Sequence, residues 1–98
     1  MQGKTFTEEV VVLRNIYVYF EYTSCDYSCR PKAFNDYESA LAWLKKSFDE
    51  AKEDAESLDQ AELLTGLDDS FKPNLLAQAF IADDCDNWCG EIWKVELN

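Results

Sequence analysis

Between Tyr37 and Leu58, apolar side chains recur at Tyr37, Leu41, Leu44, Phe48, Ala51, Ala55 and Leu58, in alternating steps of four and three. That spacing keeps a single stripe on one side of a 3.6-residue helix, and a stripe of this kind must be buried against something. Asn35, with Glu38 three residues later, forms a variant capping box at its start. The pattern therefore predicts a helix over about 36–57. A second box, Asp59 with Glu62, predicts a break near Ser57 and a short following helix to Leu64, with Gly66 as a left-handed cap. The seam also suits a coiled-coil contact with a second copy, so monomer and homodimer both stay open.

The flanking segments read as strands. From Phe6 to Thr23 the chain is rich in Val, Ile, Tyr and Phe, residues that favour extended backbone. Val10–Leu13 and Ile16–Tyr22 either pair as a hairpin around Arg14-Asn15 or form one long bent strand. Alternation places Ile16, Val18, Phe20 and Tyr22 on one side, expected as core. Tyr17, Tyr19 and Glu21 fall on the other, expected as a half-exposed sheet face. After a loop at Ser24–Ser28, Arg30–Phe34 reads as a short strand whose Pro31 suits an edge. Leu75–Ala82 is ambiguous between strand and helix. Gly90–Leu97 reads as a strand with Trp93, Val95 and Leu97 on one face and Ile92, Lys94 and Glu96 on the other. The acidic turn Asp83–Trp88 closes a hairpin between them. The fold class expected is α+β: a small antiparallel sheet with one long amphipathic helix and a short second helix packed on one face. Its 98 residues make one domain, 1–98.

Charge is distributed unevenly. Residues 1–46 hold six acids and six bases, so residues 47–98, with fourteen acids against Lys52, Lys72 and Lys94, carry the whole net charge of −11. Nine acids fall within 49–69: Asp49, Glu50, Glu53, Asp54, Glu56, Asp59, Glu62, Asp68 and Asp69. At 100° per residue, Asp49, Glu50, Glu53, Asp54 and Glu56 lie at about 120°, 220°, 160°, 260° and 100° from the apolar stripe, one continuous anionic face. Like charges at i, i+4 weaken a helix by a few tenths of a kcal/mol per pair, so the row is not arranged for helix stability. Trp43, at about 240°, falls beside Glu50 and Asp54 on that wheel. It is read either as an exposed interface anchor or as a ring packed under a strand or loop.

Much chemistry is excluded. The chain has no histidine and three glycines, which removes imidazole bases, His-dependent triads and Gly-rich phosphate loops. Its charge opposes direct binding to nucleic acid or an anionic membrane. Four cysteines form two matched pieces, Cys25-Asp-Tyr-Ser-Cys29 and Cys85-Asp-Asn-Trp-Cys89. A four-thiolate zinc site from Cys25, Cys29, Cys85 and Cys89 is chemically feasible, but the usual two-residue knuckle is absent; free thiols without a cofactor are the default. A thiolate nucleophile would lack a base, and acidic neighbours would raise its pKa. Asp83, Asp84 and Asp86 in the acidic turn fail the calcium-loop pattern. No enzyme is expected. Val10–Phe20 is interrupted by Arg14 and Asn15 and follows Glu8 and Glu9, unlike a signal peptide or membrane span, so a cytoplasmic protein is expected.

In size, acidity and mixed strand–helix layout the chain resembles the small anti-defence proteins of bacteriophages and mobile elements, of the anti-CRISPR and DNA-mimic type. The resemblance rests on the acid row Asp49–Asp69 and the acidic turn Asp83–Asp86. It implies a non-enzymatic inhibitor, acting in the host cytoplasm if phage-encoded, that occupies the basic groove of a nucleic-acid-binding protein such as a CRISPR effector, restriction enzyme or nuclease. Partner contacts are then expected at Trp43, Asp49, Glu50, Glu53, Asp54, Glu56, Asp59, Asp68, Asp69, Asp83, Asp84 and Asp86. The same physics fits an immunity protein or antitoxin neutralising a nuclease toxin. A third reading is a small zinc-stapled module whose charge is incidental.

Overall fold

A computed structural model describes residues 14–24, 31–55, 58–68, 70–83 and 87–97. Five strands and one helix follow in the order β1 (Arg14–Thr23), β2 (Lys32–Phe34), α1 (Tyr37–Asp54), β3 (Leu58–Thr65), β4 (Leu75–Asp83) and β5 (Asn87–Leu97). All strand pairings are antiparallel, in the spatial order β2-β1-β5-β4-β3. The helix packs on one face, touching all five strands. The fold is α+β, as the patterning predicts. None of the described helical residues forms a segment long and apolar enough to cross a membrane.

The long helix starts one residue later than the Asn35 box implies. Asp36 is the N-cap: its Oδ1 accepts from the Ser39 backbone N–H at 2.8 Å and its Oδ2 from the Ser39 hydroxyl at 3.1 Å. Ala55, extended at φ −71° and ψ 125°, ends it, so Leu58 lies beyond the stripe. Ala40, Leu44 and Phe48 are the buried positions. They meet Tyr19, Ala77, Ala79, Ile81 and Ile92 in one core. The helical seam thus spends its apolar surface on the chain's own sheet, not on a second helix.

The second helix is replaced by β3. Leu58–Thr65 pairs along β4, from Leu58 opposite Asp83 to Thr65 opposite Ala77, with an irregularity between Leu58 and Gln60. Ala61 and Leu63 face the helix and are half-buried, while Gln60, Glu62 and Leu64 are exposed. This two-residue alternation sits under a sequence whose Ala, Glu and Leu favour helix. The seven paired positions along β4 outweigh that weak local preference. Gly66 is left-handed at φ 64°, but it terminates a strand.

Of the two arrangements left open around Arg14-Asn15 the hairpin is excluded, and one further expectation reverses. Arg14 and Asn15 continue β1 and pair with Leu97 and Glu96, so no turn separates them from Ile16–Tyr22; Val10–Leu13 lies outside the described residues. The two faces of β1 are also exchanged. Tyr19 is 2 % exposed and Tyr17 meets the Tyr37 ring of the helix edge-on, centroids 6.1 Å apart. Tyr22, expected inside, is 37 % exposed. Alternation alone cannot say which side a helix will cover; here the aromatic tyrosines and the small residues Ala77, Ala79 and Gly90 make the surface that accommodates it. Gly90 is required there: a Cβ on it would stand 2.9 Å from Leu44 Cδ1 and 2.9 Å from Trp88 Cη2.

Candidate acidic site

The helix runs toward the end of the sheet where β1 finishes and β5 begins. It carries Asp49, Glu50, Glu53 and Asp54, all exposed, in its last two turns. Lys52 is the one basic residue there, bonded to Asp49 at 3.6 Å in the only ion pair among the described residues. Its ammonium also lies 4.6 Å from the Phe48 ring centroid. Anions at a helix C-terminus oppose the macrodipole, each costing about 0.3–1 kcal/mol at low ionic strength. The cluster is therefore unfavourable twice over, by mutual repulsion and by position.

Between this last part of α1 and the sheet opens a cleft of about 300 Å³. Glu50 and Asp54 line it from the helix, Glu21 and Thr23 from β1, Asn87 and Trp88 from β5. Three carboxylates from two elements converge on it, and its described lining includes no lysine or arginine. Glu21 belongs to this site although the sequence places it only on a tyrosine-lined strand face. No local signal marks it, because its proximity to Glu50 arises from helix–sheet packing. The Tyr19 hydroxyl holds it from below at 2.8 Å, and burial pushes that phenol's pKa up.

The other expected contact residues divide. Asp59 on β3 and Asp83 on β4 belong to the strand ends nearest the same pole, where Leu58 pairs with Asp83. Asp68 follows Gly66 at the far end of β3, roughly 23 Å away at 3.3 Å per residue; it is not part of the cleft. Glu56, Asp69, Asp84 and Asp86 lie outside the described residues. Trp43 has a different neighbourhood from the one its wheel position implies. It is half-buried and packed against the core, its ring 6.3 Å from that of Phe34. The ammonium groups of Lys32 and Lys46 lie 4.6 and 5.5 Å from its centroid. Two cations thus cover this indole, an arrangement that stabilises the ring in place, and Glu21 lines a small cavity beside it together with Lys32.

Cys25, Cys29 and Cys85 also fall outside the described residues. Cys89 is a half-buried free thiol on β5, opposite Tyr22, on the sheet face away from the helix. Burial raises its pKa, with the Glu91 charge adding to the effect, so it is a poor nucleophile. Among the described residues no group of three or more His, Cys, Asp or Glu side chains is placed to hold a metal ion.

No family model, curated protein or solved structure matches this chain.

Proposed function

We propose that this protein is a non-enzymatic inhibitor whose acidic pole, built from Glu21, Asp49, Glu50, Glu53 and Asp54, docks into a basic nucleic-acid-binding groove of a larger protein. The observation that carries the reading is the convergence of Glu21, Glu50 and Asp54 on one cleft with no described cation lining it. Carboxylates arranged against helix stability, of which only Asp49 is ion-paired among the described residues, are what a surface needs if its role is to meet lysines and arginines that otherwise hold phosphates. Successive i, i+4 acids stand about 6 Å apart along the axis, of the order of two base-pair steps of a duplex at about 3.4 Å each. Association is steered by the field of the whole chain, whose net charge is −11, and weakens with salt.

Affinity capture from host extract at low and high salt tests the reading. The expected result is retention of a basic nucleic-acid-binding protein at low salt, its release at high salt, and loss of capture with the triple variant Glu50→Lys, Glu53→Lys, Asp54→Lys. Capture by a folded triple variant, judged by an unchanged far-ultraviolet circular dichroism spectrum, would refute the acidic-pole mechanism.

A further inference from the structure

No described helix or strand lies over the sheet face opposite the helix: among the secondary-structure elements, each strand meets only its neighbouring strands and α1. An antiparallel sheet with one solvated face normally shows polar residues there. This one is apolar. Across its centre run Val18 and Phe20 of β1, Trp93 and Val95 of β5, and Phe80 of β4, placed together by the pairings Val18–Trp93 and Phe80–Cys89; Leu75, which also pairs with Trp93, is already covered within the chain. Val95 is 38 % exposed and Leu64, on the outer strand, 42 %.

The polar groups in the middle of this face satisfy one another. Glu91 Oε1 accepts from Trp93 Nε1 at 3.0 Å, and Oε2 accepts from Gln78 Nε2 at 3.3 Å and the Tyr22 hydroxyl at 3.4 Å. The Cys89 thiol lies 3.9 Å from the same oxygen. A carboxylate on an open sheet needs no such cradle, since water supplies its donors. One that is to be covered does, because an unsatisfied buried charge is costly.

We infer that this face is a homodimer interface, on which a second copy packs sheet against sheet with α1 of each copy outermost. A second copy fits for three reasons. Two sheets of the same twist pack face to face in an aligned sandwich about 10 Å thick, so a twisted apolar face is complementary to itself under a two-fold axis. The area suffices: five strands at roughly 4.8 Å spacing and about 26 Å of length give a footprint of about 600 Å² per copy before side-chain relief. Two copies then reach the ~1,200–2,000 Å² of stable interfaces. Finally, the acids of α1 lie on the outer side of each sheet, farther apart across the dimer than the Debye length of ~8 Å, so the charge of each chain does not prevent pairing. The interface is independent of the acidic cleft and leaves it open in both copies.

Sedimentation equilibrium of the full chain over roughly 1–100 µM tests this. The expected mass is twice 11.3 kDa, and Val95→Lys, a change at an already exposed position, weakens association by at least about 100-fold with the circular dichroism spectrum retained. Should that variant lose its fold, Leu64→Lys on the outer strand is expected to weaken association in the same direction. A wild-type chain that stays at 11.3 kDa throughout the range, or a dimer that survives in either folded variant, overturns the inference; a monomer would assign the face to a foreign partner or to another part of this chain.

Discussion

The Tyr19 hydroxyl donates to Glu21 Oε1 at 2.8 Å, joining a phenol that is 2 % exposed to a carboxylate on the wall of the acidic cleft. The core thereby positions one of the three acids from beneath. Replacing Tyr19 with Phe keeps the ring and removes the donor, and is expected to cost about 1 kcal/mol of stability. Urea unfolding measures the loss, and partner affinity is expected to fall as Glu21 loses its fixed rotamer.

Alkaline pH should destabilise the fold. Cys89, Tyr19 and Tyr37 all have pKa values raised by burial from ordinary values of 9.0 and 10.0, and Tyr22 is raised chiefly by its hydrogen bond to Cys89. The folded state therefore keeps protons that the unfolded chain releases. Stability from these groups is fully present below pH 9 and declines as pH climbs past the ordinary thiol and then phenol values. Denaturant midpoints between pH 7 and 11 should be level at first and then drop, with Tyr19→Phe showing the shallower drop.

Gly90→Ala should destabilise the protein by about 1–3 kcal/mol. The added methyl would meet Leu44, itself fully buried, and Trp88 at 2.9 Å, with the Tyr19 hydroxyl at 3.1 Å. Thermal unfolding followed by tryptophan fluorescence reads the effect directly.

Asp54→Lys should stabilise the fold and weaken function together. A cation at the helix C-terminus favours the macrodipole and relieves repulsion from Glu50, a gain of roughly 0.5 kcal/mol. Removing one of the three cleft carboxylates is expected to lower partner affinity at least about tenfold. A melting temperature that rises while binding is unchanged would show that the acids of α1 are incidental.

Trp43→Ala should reduce stability by about 1–2 kcal/mol through loss of its contacts with Phe34, Lys32 and Lys46. Affinity for the partner should change less than stability, since Trp43 lines no part of the acidic cleft. Parallel unfolding and binding measurements separate the two.

The long helix and its buried stripe were legible from residue order because the apolar period of Leu41, Leu44 and Phe48 is a local property of the chain. The strands of Ile16–Tyr22 and Gly90–Leu97 were legible for the same reason, and so was the placement of the negative charge in the second half. Other features depended on neighbours that periodicity does not contain. Asp59–Leu64 carries helical propensity, yet becomes a strand because β4 offers it a complete ladder of backbone partners. Tyr19 and Phe20 alternate identically in the sequence, and only the position of α1 makes one core and the other an open face. The meeting of Glu21 with Glu50 and Asp54 across a cleft, and of Trp93, Gln78 and Tyr22 around Glu91, likewise came from packing: the first joins a strand to the helix, the second joins three strands. Period and charge are written along the chain, while which face is covered and which distant groups converge are settled by the free energy of burying one particular surface.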